Sequence, residues 1–373
     1  MKRRLALVAR RVEGLSGASR MIVEHARRFV AAGWEVHVFA GRLDAPAVTG
    51  AGATPNLVLS WPWGSWLKRV SFARMAARGA RGFDLVHGHG DLFDQDVLSL
   101  HNCVHAAHEA VRGTPLPDSD ATGRLHSRQL RERRFRVLVA NSRLMKDDAT
   151  RRFGVPPESV EVVYPGFDPS RFTPADRERL GAPMRAELGV TPGETLVGLV
   201  TSGDFEKRGL PAFLRAFALA ARTRPGLRAL VVGKETRPGP YKALAAGLGV
   251  AERVIWREPS AGVERFYHAL DLYAHPARWE EFGMSVLEAL ACGLPVVTGS
   301  KVGAAELMTG GLSAGVLADP APEPLAAAFG ALADDADRRR ALGALGPAAA
   351  APCAWDASAA RLLALYERLL PPR

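Results

Sequence analysis

Two glutamates, Glu280 and Glu288, bracket seven residues that include Gly283, and two adjacent cations, Lys207 and Arg208, stand earlier in the chain. A carboxylate accepts hydrogen bonds from sugar hydroxyls, and backbone N–H groups at a helix start hold an anion. Lys and Arg at a strand-to-helix turn suit a pyrophosphate, the Arg as a planar fork and the Lys as a point charge. Together these residue types suit a ligand that is part phosphate and part sugar. Two plainer readings stay open. Ser285-x-x-Glu288 is also a capping box, in which the glutamate only reaches back to the cap N–H, and Lys207 with Arg208 also fit a solvated loop.

These residues need elements that converge at one edge. Leu272–Ala274 reads as a strand ended by His275-Pro276, Met284–Cys292 as a helix, Gly293 as its left-handed cap and Leu294–Val297 as the next strand. A right-handed βαβ crossover follows, which places the Arg278–Ser285 loop at the carboxyl edge of a parallel sheet, where open α/β sheets bind ligands. Thr195–Thr201 reads as a strand and Leu210–Arg222 as an amphipathic helix, so Lys207 and Arg208 fall in the turn between them. Near the amino terminus, the strand Leu5–Ala9, a loop with Gly14 and Gly17, the helix Ala18–Ala32 and the strand Glu35–Ala40 make another βαβ unit. It lacks the G-x-G-x-x-G order of a dinucleotide fingerprint. Asp84–His89 and Asp96–Leu100 continue as strands, the second ending at His101. Val104–Arg136 reads as long, polar and irregular, or as a solvated helix.

A chain of 373 residues suits two domains, each able to bury its own core. The formal charge of +10 implies attraction to polyanions without choosing among them. Scattered arginines without an aromatic stacking platform argue against a nucleic-acid partner. Cys103, Cys292 and Cys353 fit neither a disulfide framework nor a metal site, and His87, His89, His105 and His108 do not assemble a metal set. The apolar run after the basic start is too short for a signal peptide, and no run reaches transmembrane length. The expected location is the cytoplasm. Three tryptophans interleaved with Lys68, Arg69, Arg74, Arg78 and Arg81 in Trp61–Phe83 suit the headgroups of an anionic inner membrane, and equally a buried helix flank with a basic outer face.

The stretch from Glu280 to Val296 fits the order E-x-F-G-x-x-x-L-E-A-x-A-x-G-x-P-V, which resembles the donor-binding signature of the retaining glycosyltransferases of the fourth family. The resemblance covers nearly the whole chain, is strongest from Val197 to Val297, and is nearest to the lipopolysaccharide core glucosyltransferases. It implies an α/β GT-B fold of two doubly wound Rossmann-like domains facing across a cleft. The domains expected are an acceptor-side domain over 1–175, a donor domain over 176–352, and a helix over 353–373 that crosses back to the first. It further implies that Glu288 binds the donor ribose, and that Lys207, Arg208 and the helix start hold the pyrophosphate. Glu280 and the N–H groups of Phe282, Gly283, Met284 and Ser285 would hold the sugar, Gly17 would approach the donor phosphates, and His101 would contact the sugar or the reacting centre. The catalytic set expected is thus His101, Glu280, Lys207 and Arg208. This chain departs from the pattern at Ser16-Gly17, where the family often has two glycines, and at Arg208, where it commonly has Lys.

The reaction implied is transfer of a hexose, glucose foremost, from a UDP-sugar to a glycan or glycolipid acceptor such as the lipopolysaccharide core, with retention of configuration. Cations at the departing β-phosphate make a metal unnecessary, and no Asp-x-Asp stands in a suitable loop, so no cofactor beyond the donor is expected. The rivals are a nucleotide-sugar epimerase on the same scaffold and a non-catalytic sugar-binding protein.

Overall fold

The computed structural model describes residues 2–13 and 17–371. The chain forms two compact units, Met1–Gly166 together with Trp355–Arg373, and Phe167–Ala354.

The first unit is built on seven strands: β1 (Arg4–Val12), β2 (Glu35–Leu43), β3 (Thr54–Leu57), β4 (Leu85–Gly88), β5 (Val97–Ser99), β6 (Val137–Ala140) and β7 (Val160–Val162). Their spatial order is β3-β2-β1-β4-β5-β6-β7, and every pairing is parallel. Leu5 to Ala9 is a continuous apolar run because both faces of β1 are covered. β1 extends past the expected end at Ala9 to Val12, so Arg10 and Arg11 lie on the strand rather than in a loop. The helix expected over Ala18–Ala32 runs Gly17–Ala31 and buries Ile22, Ala26 and Phe29.

The helix Trp355–Leu369 belongs to this unit. It adds Ala359, Leu362, Leu365 and Tyr366 to the core around Phe29 and Trp34. The Tyr366 ring meets Phe29 and Trp34 edge-on at 5.4 and 5.7 Å, and Ser358 donates to the Tyr164 carbonyl at 3.0 Å. Val104–Arg136 is not irregular: it holds two helices, Val104–Arg112, closed by Gly113 in the left-handed region, and Ala121–Glu132, whose Asp120 cap accepts from Thr122 and Gly123 N–H. The second helix hides few apolar residues in a mostly polar sequence, Leu125 and Leu130 among them, and buries His126 and Gln129 beside them. That polar interior masks the helical period.

The second unit repeats the plan with β8 (Thr195–Val200), β9 (Leu227–Val232), β10 (Val254–Arg257), β11 (Leu272–His275), β12 (Val296–Gly299) and β13 (Val316–Leu317), in the order β10-β9-β8-β11-β12-β13. These pairings are also parallel. The helix Leu210–Ala221 fills one face of the sheet with Leu210, Phe213, Leu214 and Phe217, and Phe213 packs on Phe329 at 5.7 Å between ring centres. In both sheets the strand order reverses direction once, between β1 and β4 and between β8 and β11. Those are the switch points at whose carboxyl ends a doubly wound sheet opens a crevice. The two units are therefore Rossmann-like α/β folds of one design.

Candidate active site

In the second unit the two loops that leave the switch point carry the expected charges. The loop after β8 is shaped by its own hydrogen bonds: Gly203 N–H donates to Thr201 Oγ1, Lys207 N–H to the Asp204 carboxylate and Arg208 N–H to the Asp204 carbonyl. Gly209 then opens the helix Leu210–Ala221 at φ +75°, and a Cβ there would lie 2.1 Å from the Pro276 carbonyl oxygen. Only glycine allows this loop to lie against the end of β11.

The loop after β11 is pinned from the other side. Glu280 N–H donates to the Lys301 carbonyl at 2.9 Å, the Glu280 carbonyl accepts from Gly303 N–H at 3.0 Å, and Ala304 N–H donates to the Phe282 carbonyl at 2.6 Å. Lys207 Nζ consequently donates to Glu281 Oε2 at 2.8 Å, and Arg208 pairs with Glu280. His275 Nε2 lies 3.8 Å from Glu280 Oε2. Burial first, then the Arg208 and Lys207 charges, lower the His275 pKa to about 3, so this ring is neutral at pH 7. Both carboxylates and both cations are largely withdrawn from solvent, where charge interactions are stronger than at an open surface.

Gly283, at φ +92°, is the N-cap of the helix Met284–Ala291, and a Cβ on it would press on Val302 at 3.0 Å. Met284 and Ser285 thus form the first turn, whose N–H groups have no acceptor within the helix. The capping-box alternative does not form, because the cap residue is Gly283, two residues before the Ser285 that the motif would need as its cap. Ser285 Oγ instead accepts from the Tyr273 hydroxyl at 2.7 Å, and Glu288 Oε2 accepts from the Tyr267 hydroxyl at 2.9 Å. Burial, then the Glu288 charge, push the Tyr267 pKa well above its ordinary value, which keeps the hydroxyl a donor.

Gly17 and His101 are in the first unit. Gly17 starts the first helix, while Gly14 and Ser16 of the expected glycine loop lie outside the described residues. His101 stands just past β5, partly exposed, at the end of a stack of imidazoles. Its Nε2 lies 2.9 Å from His89 Nδ1, and His89 stacks on His87 at 4.5 Å. His87 in turn bonds Tyr366 at 2.6 Å and Ser99 at 2.7 Å. Burial lowers the pKa of His101 to about 4 and those of His87 and His25 to about 3. Neutral rings are expected there at pH 7, suited to hydrogen bonding rather than to carrying charge. Among the described residues no group of three or more His, Cys, Asp or Glu is placed to hold a metal ion.

Sequence reasoning missed Glu281 and Tyr267, and weighed His89 only as a metal ligand. Glu281 stood in plain view beside Glu280, but nothing local marks Tyr267 as the partner of a glutamate in the next helix.

The comparisons with known proteins bear on the family and the fold. Residues 185–347 match the family described as "Glycosyl transferases group 1", and residues 15–171 match "Glycosyltransferase Family 4". The D-inositol 3-phosphate glycosyltransferase of Segniliparus rotundus is 37% identical over 281 residues, which span 72% of this chain and 61% of that protein. Its counterpart from Rhodococcus jostii is 32% identical over 387 residues, spanning 94% of this chain and 84% of the relative. Among solved structures, WaaG, a glycosyltransferase involved in lipopolysaccharide biosynthesis, superposes with a TM-score of 0.82 at 20% identity over 97% of this chain and 99% of that one. Anabaena HepE, solved with UDP and glucose, gives 0.78 at 19% identity over 98% and 100%. The likeness to these two structures is one of fold, GT-B, with two Rossmann-like domains. Sequence identity over most of the Rhodococcus relative, with a family match in each unit, shows that this chain belongs to the group 1 glycosyl transferases and is a glycosyltransferase.

Proposed function

We propose that the second unit binds a nucleoside diphosphate sugar, UDP-glucose foremost, and that its hexose is transferred with retention of configuration and without a metal ion. The observation that carries this reading is the pairing of Lys207 and Arg208 with Glu281 and Glu280 at the switch point. A departing nucleoside diphosphate gathers negative charge on its β-phosphate, and fixed cations lower the barrier to that departure. Glu281 holds the Lys207 ammonium in place. Arg208 exchanges Glu280 for phosphate oxygens when the donor arrives, and Glu280 turns to the sugar hydroxyls. The N–H groups of Phe282, Gly283, Met284 and Ser285 complete the sugar and phosphate contacts, and Glu288, steadied by Tyr267, accepts from the ribose. In the first unit, Gly17 opens a helix and His101 carries a neutral imidazole, each suited to hydrogen bonding.

The relatives' printed activity makes a phosphorylated cyclitol the first acceptor to assay. A glycolipid such as the lipopolysaccharide core is the second reading, favoured by one surface. Leu59, Trp61 and Trp63 are exposed just before a helix, Ser65–Gly79, that carries exposed Leu67 with Lys68, Arg74 and Arg78, a composition suited to anionic headgroups. No described helix is long and apolar enough to cross a membrane.

The test is the reaction with UDP-glucose in the presence of EDTA, with the anomeric proton coupling of the product read by NMR. An α-linked product formed at full rate supports the reading. A β-linked product, a requirement for divalent metal, or isomerised nucleotide sugar without transfer contradicts it.

A further inference from the structure

The second unit holds a cavity that the donor reading leaves unused. It measures about 460 Å³ and opens over the helix Leu210–Ala221, a volume within the range of small-molecule sites. Leu219, Leu248 and Pro322 give it apolar walls, and Arg215, Arg222, Arg253 and Glu323 are its charged residues. Arg253 directly precedes β10 and bonds the carbonyl of Leu227, the first residue of β9. The cavity therefore adjoins the amino edge of the sheet, the opposite edge from Lys207 and Arg208.

The arginines around it are of two kinds. Arg253 is structural: its Nη1 donates to the Ala221 carbonyl at 3.0 Å, its Nε to the Leu227 carbonyl at 3.1 Å and its Nη2 to the Arg224 carbonyl. It thereby occupies a carbonyl at the end of the helix Leu210–Ala221, where partial negative charge would otherwise repel an anion. Arg224 is held by Asp334 at 2.8 Å, and Arg228 by Glu194 at 3.3 Å. Arg215 and Arg222 differ from these. They stand seven residues apart, two turns along one helix face, and both are exposed. Among the described residues neither guanidinium makes a hydrogen bond or an ion pair.

Three cations and one carboxylate line the cavity, an excess of two positive charges. Glu252, beside Arg253 in sequence, does not line it, and the acids Asp334 and Glu194 are paired elsewhere. An arginine in open water needs no partner. Two of them at the mouth of an apolar recess, outnumbering its one carboxylate, concentrate positive potential there. A guanidinium fork matches phosphate oxygens, while the apolar walls suit a body that water does not favour.

We infer that this cavity is a second ligand site, separate from the donor site, for a soluble organic anion that joins an apolar body to a phosphate monoester. Arg215 and Arg222 take the phosphate, and Leu219, Leu248 and Pro322 cover the apolar part.

The experiment titrates the full-length protein by calorimetry, in saturating UDP to occupy the donor residues, with 1-naphthyl phosphate, inorganic phosphate and 1-naphthol. The same titrations are run on Arg215→Gln/Arg222→Gln, Arg215→Lys/Arg222→Lys and Glu323→Gln. The wild type is expected to bind 1-naphthyl phosphate more tightly than either fragment of it. The Gln pair weakens that binding at least about fivefold, the effect of two charge contacts at an open surface. The Lys pair restores part of it, and Glu323→Gln, by removing a like charge, tightens it about twofold. Because the positions are exposed, melting temperatures stay within about 3 °C of the wild type, so lost binding is not lost folding. Equal affinity in the wild type and the Gln pair, 1-naphthol bound as tightly as its phosphate, weaker binding in Glu323→Gln, or no binding by the wild type overturns the site. These comparisons hold whether or not UDP binds, so the site and the donor reading fail separately.

Discussion

Replacing Glu288 by Met removes the charge that the Tyr267 hydroxyl meets while keeping the side-chain length. Tyr267 is fully buried, its ring lies 5.8 Å from Tyr273 and 5.9 Å from Phe172, and its hydroxyl donates to Glu288 at 2.9 Å. Glu288→Met orphans that hydroxyl in an apolar interior, at a cost of about 1–3 kcal/mol. Tyr267→Phe leaves the ring packing intact and loses a hydrogen bond to a charged group, worth about 1.5–3 kcal/mol. The double variant leaves neither group unsatisfied, because an apolar pair of matching shape replaces a polar one. It should therefore be at least about 1 kcal/mol more stable than the sum of the single changes implies. Urea unfolding of the four proteins measures this coupling. UDP titration of Tyr267→Phe adds the functional half: a carboxylate that has lost an anchor must be ordered on binding, at about 1 kcal/mol, so the Kd rises several-fold. Stability changes additive to within about 0.5 kcal/mol, with UDP affinity unchanged in Tyr267→Phe, would refute the claim that this hydroxyl steadies Glu288 for a ligand.

Gly209→Ala should destabilise the protein by more than the roughly 1 kcal/mol that a left-handed alanine requires, because its Cβ would meet the Pro276 carbonyl; it should also weaken UDP binding. A variant that melts at the wild-type temperature would show that the two loops are not pressed together. Acid should weaken the first unit in particular. The pKa values of His25 and His87 in the folded state, about 3, lie below the ordinary histidine value. Their contribution is complete above about pH 6.5 and is lost as the pH falls from there toward 3, at about 1.4 kcal/mol per pH unit for each ring. At pH 5 these two rings alone remove roughly 4 kcal/mol, and calorimetric melts should fall steadily between pH 7 and pH 5. Equal melting temperatures across that interval would mean that the imidazoles titrate as exposed ones do.

Much of the second unit is legible in the sequence because it is local. The strand, loop, helix and strand around Glu280 follow one another within a short stretch, and Gly293 marks the helix end as expected, at φ +73°. What escapes is pairing across distance. Tyr267 and Glu288 meet because two successive helices cover the same sheet face. His87 finds its hydroxyl partner in Tyr366, 279 residues later. The capping box is a local pattern that the fold overrides, since the close approach of Val302 places a glycine at the cap. Arg10 was hidden by a strand that runs past its apolar stretch, and the helix around His126 by an interior that mixes His126 and Gln129 with two leucines.

The most direct test of the central claim, a metal-independent diphosphate site built on Lys207 and Arg208, is a thermal-shift titration with UDP, GDP and ADP, with and without EDTA. It is carried out on the wild type and on Lys207→Gln/Arg208→Gln. At a hundred times its Kd a ligand adds about 2.7 kcal/mol of stability. The account predicts a shift with UDP that EDTA leaves unchanged and that the double variant loses. A shift of equal size in the double variant, or one that EDTA abolishes, would contradict it.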